Sequence, residues 1–116
     1  MAAIDLSAVT NVPYMYSQAS VGTTWQEVKL PPWCCRVAVI STAAAYVGFI
    51  GSETPSDGGA VGTHKAAIPQ DTAAPFVIQD AEQRPIRTGL TYARSVFVAA
   101  QTGTATVTVI IETGAS

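Results

Sequence analysis

The sequence predicts an all-β protein: a single-domain antiparallel β-sandwich, jelly-roll-like, with about eight short strands and no substantial helix. Three observations predict it. Residues that suit a pleated surface dominate, with 14 Thr, 13 Val and 8 Ile against 3 Leu. Helix formers other than Ala are scarce, and the 19 Ala sit beside Gly, Pro and Thr. Turn residues recur at spacings of roughly 8 to 12 residues, the pattern of a sandwich or jelly roll.

The clearest strands lie near the C-terminal end. In Ala105–Glu112, Val107, Val109 and Ile111 share one face while Thr106 and Thr108 share the other, so one face belongs in a core. In Arg94–Ala100, Val96, Val98 and Ala100 oppose Phe97 and Ala99. Both faces are apolar, which predicts a central strand. The linker Gln101–Thr104, with one Gly, predicts that the two strands form a hairpin.

The N-terminal part divides differently. Residues 1–20 read as an arm and 21–116 as the sandwich domain. Asp5 to Pro13 has no sustained period, so the arm is expected to dock on a partner rather than pack on its own domain. Tyr14–Val21 reads either as a first strand or as part of that arm. In Trp25–Leu30 the even positions end in Val28 and Leu30 and the odd ones carry Glu27 and Lys29, a half-exposed strand closed by Pro31-Pro32. Trp33–Ser41 is the next strand, with Arg36 expected near an edge or reaching a partner, and Ala44–Ile50 is expected to pair antiparallel with it. Gly51–Thr63 is the longest loop, rich in Gly, Pro, Ser and Asp, and is expected to face a neighbour or solvent. His64–Ile68 and Phe76–Gln79 are short strands around a loop at 69–75. Asp80–Pro85 is a polar turn, Ile86–Tyr92 an edge strand broken by Gly89, and Thr113–Ser116 a tail.

Composition excludes several functions. Charged residues make up 12% of the chain, about half the usual share of roughly 25%. A surface this poor in charge suits contact with other protein. The net charge is −2 and the six basic residues are scattered, which is no footprint for nucleic acid or an anionic membrane. No basic segment precedes an apolar one at the N-terminus, so no signal peptide is expected. Ala43–Gly51, the longest apolar run, is too short to span a bilayer. Cys34 and Cys35 are adjacent, and in a strand their side chains diverge. They are expected to be thiols, one of them in the core, and synthesis inside a cell follows as the default.

No chemistry assembles. His64 is the only histidine, so neither a nucleophile–base arrangement with a recognisable elbow nor a several-histidine metal centre of the cupin kind is supported. The carboxylates are dispersed; Asp80 and Glu82 alone are close neighbours. No phosphate-binding Gly motif occurs. Catalytic residues, cofactors and metals are expected to be absent. Trp25, Trp33 and four tyrosines leave glycan recognition as an alternative.

Trp25-Gln26-Glu27-Val28, Tyr46-Val47-Gly48-Phe49, Ala67-Ile68-Pro69 and the ending Val98–Val107 together resemble, in style of sequence over residues 25 to 112, small β-sandwich virion proteins of tailed bacteriophages. These are capsid decoration (cement) proteins or head and tail fibre modules. The resemblance implies a non-enzymatic part that binds and stabilises a shell of coat protein, often as a trimer, made in the host bacterial cytoplasm and carried in the virion. The alternative within the same group is a glycan- or receptor-binding module of a head or tail fibre. The expected partners are the major capsid protein or other virion proteins and further copies of the chain, not nucleic acid or membrane. The expected contact residues are Leu6, Val9, Val12, Tyr14 and Tyr16 in the arm, with Asp57, Val61 and His64 in and just after the long loop.

Overall fold

The computed structural model describes residues 3–50, 55–78 and 93–113. The predicted turn at 80–85, the predicted strand at 86–92 and most of the predicted tail lie outside them. Among the described residues there are nine strands and no helix. The strands are β1 (Ile4–Asp5), β2 (Tyr14–Val21), β3 (Gln26–Lys29), β4 (Arg36–Ser41), β5 (Ala45–Gly48), β6 (Ala66–Ile68), β7 (Ala74–Val77), β8 (Ser95–Ala100) and β9 (Ala105–Glu112). They form a β-sandwich. One sheet has the order β1-β3-β8-β5-β6, the other β2-β9-β4-β7. All pairs are antiparallel except the short β1–β3 contact.

The core lies between the sheets. Val28, Val47, Val96, Val98 and Ile68 from one sheet meet Val37, Val39, Val107, Val109 and Ile111 from the other. Every second residue of β9 is buried, as its alternation predicts. All six residues of β8 are buried, and β8 is the middle strand of its sheet, because its second apolar face also finds a cover.

The two strands do not form the predicted hairpin. β8 pairs with β3 and β5, while β9 pairs with β2 and β4 in the opposite sheet. The linker is an arch that carries the chain across the core, with Gly103 at φ 62°, in the left-handed region, and the Gln101 N–H bonded to Ala44 O at 3.0 Å. The predicted pairing of the fourth and fifth strands is replaced in the same way: β4 and β5 lie in different sheets. An arch lets each of these apolar strands take two neighbours in its own sheet while facing the other across the core.

Two boundaries also move. β7 runs through Pro75, where a loop was predicted. It is an edge strand, so a residue without an N–H is tolerated there. β2 is an eight-residue strand paired along its length with β9. The expected division at residue 20 therefore falls inside a strand of the sandwich.

Candidate functional site

The outward face of the five-stranded sheet carries Phe97, Ala99, Tyr46 and Gly48 beside Glu27 and Ser95, and the Phe97 ring gains most from a cover. Trp25 provides it locally. Gly48 sits opposite Phe97 in the ladder, and the Trp25 indole lies over it. A Cβ at Gly48 would stand 2.9 Å from Trp25 Cη2 and 3.0 Å from Cζ2, so only glycine admits the ring. Trp25 and Phe97 meet edge to face, with centroids 6.3 Å apart. Trp25, Phe97 and Ala99 form a second small core, with Tyr46 and Val61 packed against it.

The long loop closes over this cluster. The Trp25 N–H donates to Gly59 O at 2.8 Å and the Gly58 N–H to Trp25 O at 2.7 Å. Thr24 and Ala60 form an antiparallel bridge. The Glu27 N–H donates to Asp57 Oδ1 at 3.0 Å, and Ser95 Oγ donates to Glu27 Oε2 at 2.6 Å. Lys65 Nζ donates to Gly62 O at 3.0 Å and stands 4.9 Å from the Tyr46 ring centroid. The described part of the loop is thus a lining of the domain, not a free connector.

The outward face of the four-stranded sheet has no such cover among the described residues. Met15, Ile110, Ala38 and Pro75 fall on one line across β2, β9, β4 and β7. The next line outward is Glu112, Arg36 and Val77. Met15 is 64% and Val77 74% exposed. Ser17 and Thr108 bond through their hydroxyls at 2.7 Å beside this line. This open, mostly neutral face is the candidate site.

The residues expected to make contacts are mostly spent inside the protein. Leu6 is 5% exposed in the main core, and its N–H donates to Lys29 O at 3.0 Å; a buried leucine cannot dock on a partner, so its expected role is corrected to a core role. Val9 is half-buried, and its carbonyl accepts the Trp33 indole N–H at 2.7 Å. Tyr14 and Tyr16 point inward from β2 and pack against the main core. Asp57 caps the backbone at Glu27, and Val61 packs on the Trp25 cluster. Val12, 48% exposed, and His64, also exposed, remain at the surface. Residues 1–20 cannot be detached without taking both β1 and β2 from their sheets. Sequence reasoning missed Met15, Ile110, Ala38 and Val77. The alternation of Tyr14, Met15 and Tyr16 was the available signal, since an odd Met between inward tyrosines must point out.

Trp25 is 2% exposed and is no platform for a sugar. Cys34 and Cys35 are both buried thiols. Burial pushes the Cys34 thiol up to about 11, against the reactive thiolate state. The Ser7 hydroxyl and N–H hold the exposed Asp5 carboxyl below its ordinary range. Among the described residues no group of three or more His, Cys, Asp and Glu could hold a metal, and no helix is long and apolar enough to cross a membrane. No family model, curated protein or solved structure matches the chain.

Proposed function

We propose that this chain is a non-enzymatic virion structural protein of the capsid decoration or cement type, which binds and stabilises a shell of coat protein. The observation that carries the reading is the unequal treatment of the two outward faces. The chain spends a long loop and a tryptophan on covering one, and leaves Met15 and Val77 exposed on the other. A mostly neutral face with exposed apolar groups suits burial against another protein. The low charge of the whole chain supports the same reading. In this role the protein resides in the virion, and its partners are the major capsid protein and other copies of itself.

The test is co-sedimentation with purified particles of the phage that encodes the chain, followed by antibody labelling of intact particles. The expected result is label on the head, retained by the wild type and lost by Val77→Lys/Ile110→Lys. Particles with their full coat but no label, or a double variant that still binds as well as the wild type, would reject the proposal.

A further inference from the structure

Sheet edges invite pairing with other chains, and most proteins blunt them. Three of the four edges among the described strands are blunted. β1 is two residues long and carries Asp5. β6 is three residues long, between Lys65 and Pro69. β7 contains Pro75. β2 is different: it is eight residues long, Tyr14-Met15-Tyr16-Ser17-Gln18-Ala19-Ser20-Val21, with no charge and no proline. A bulge between Gln18 and Val21 interrupts it, with Ser20 at φ 59°. Among the described residues Tyr14–Gln18 is therefore a neutral edge with no further strand paired to it.

The backbone groups this edge presents can be identified. The Thr42 N–H donates to Thr106 O at 3.0 Å. On the far side of β4, Ser41 O and Cys35 O accept from the N–H groups of Asp71 and Ile78, both at 2.8 Å. Even-numbered residues of β4 and β9 thus turn their backbone groups toward each other. Odd-numbered residues of β9 turn toward β2, because successive residues alternate sides. Their partners there are Tyr14, Tyr16 and Gln18. Met15 and Ser17 therefore aim their N–H and C=O groups away from the sheet, and the next carbonyl, Ala19 O, accepts from its neighbour's Gln18 Nε2 at 3.1 Å.

The geometry points to a second copy of this chain as the occupant, paired antiparallel through β2 about a two-fold axis at Tyr16. In that register Met15 faces Ser17 of the second copy and Ser17 faces its Met15. All four outward backbone groups of each chain are satisfied. Tyr16 faces Tyr16 as a non-hydrogen-bonded pair, the arrangement that brings side chains closest, and a cross-strand aromatic pair is stabilising. The two neighbouring registers fail. Centring on Met15 sets Ser17 against Pro13, which has no N–H. Centring on Ser17 sets Met15 against Ala19, whose carbonyl is taken and which enters the bulge. With no charge on the edge, like-charge repulsion is absent. The product is an eight-stranded sheet in which the Met15–Ile110–Ala38–Pro75 line continues into the second copy through its Ser17 and Thr108. An isologous contact of this kind yields two copies, not three, and it does not rest on a role in a virion.

The seam is small, so association is to be measured by sedimentation equilibrium of the full chain up to its highest soluble concentration. The wild type is expected to reach twice its 12.0 kDa mass. Ser17→Pro removes an outward N–H together with the hydroxyl bonded to Thr108, a loss that Ser17→Ala shares, and should remain at the monomer mass with an unchanged far-ultraviolet circular dichroism spectrum. Ser17→Ala should still dimerise. Met15→Pro repeats the test at the second outward position if Ser17→Pro does not fold. Amide exchange of wild-type Met15 and Ser17 should slow as concentration rises. A wild type that stays monomeric, forms a trimer, or shows concentration-independent exchange at these amides would overturn the inference, as would a folded proline variant that still dimerises.

Discussion

The two outward faces of the sandwich begin from similar material and end differently. On the five-stranded sheet, Phe97, Ala99, Tyr46 and Gly48 are roofed by Trp25 and by the loop through Asp57, Gly59 and Val61. On the four-stranded sheet, Met15, Ile110, Ala38 and Val77 have no roof among the described residues. The first face is more aromatic, and aromatic side chains carry the larger penalty in water. The second is made of smaller or more flexible groups, diluted by Thr106, Thr108 and Ser17. One sheet therefore gains stability from its outer face, while the other has its outer face available for a partner.

The largest effect is expected from Trp25→Ala. It deletes the ring that covers Gly48 and Phe97, and a buried Trp→Ala change costs about 3–5 kcal/mol. Urea unfolding followed by circular dichroism measures it. A loss as small as that of a surface substitution would mean that the roof is not a second core.

Gly48→Ala attacks the same contact from below. The new methyl would meet a ring already held by Phe97 and the loop, at 2.9 Å, and such overpacking costs about 1–3 kcal/mol. Pairing it with Trp25→Ala in a double-mutant cycle should make the glycine change nearly silent, because the atoms it strikes are gone.

Alkaline titration probes the interior that both faces share. Cys34 sits in the main core, and burial raises its thiol from an ordinary 9.0 to about 11. Its neutral form is favoured by the fold, so its contribution is fully present below pH 9. The unfolded chain ionises first as pH rises, and that stability is lost between about 9 and about 11. Unfolding midpoints against pH should show this fall in the wild type and a shallower one in Cys34→Ala.

The contrast between the faces also marks what could be read in advance. Strand positions and burial periodicity were legible: β9 alternates, β8 is apolar on both faces, and β3 buries Val28 while exposing Lys29. Which strands pair was not legible. A short polar linker with one Gly serves an arch as readily as a hairpin, and nothing in Gln101–Thr104 or Thr42–Ala44 states that the chain changes sheets. The roof was hidden for a related reason. Trp25 is buried by residues some thirty positions later, in a segment whose Gly and Ser content reads as solvated loop. The open face was concealed in the arm, because Tyr14–Val21 becomes a strand only through its ladder to β9. Tertiary pairing decided each of these.

The smallest expected effect completes the comparison. Met15→Thr and Val77→Thr replace exposed apolar groups on the open face with residues that suit a strand. Neither side chain belongs to the core, so each should alter stability by no more than about 0.5 kcal/mol, an order of magnitude below Trp25→Ala. The isolated protein would then leave no trace of why Met15 and Val77 are apolar. Under the proposed role, their cost should appear only in the presence of particles, as weaker co-sedimentation with unchanged urea midpoints. If both variants instead destabilise the isolated chain by as much as Gly48→Ala does, the open face is supporting the fold. The distinction between a roofed face for stability and a bare face for contact would then fail.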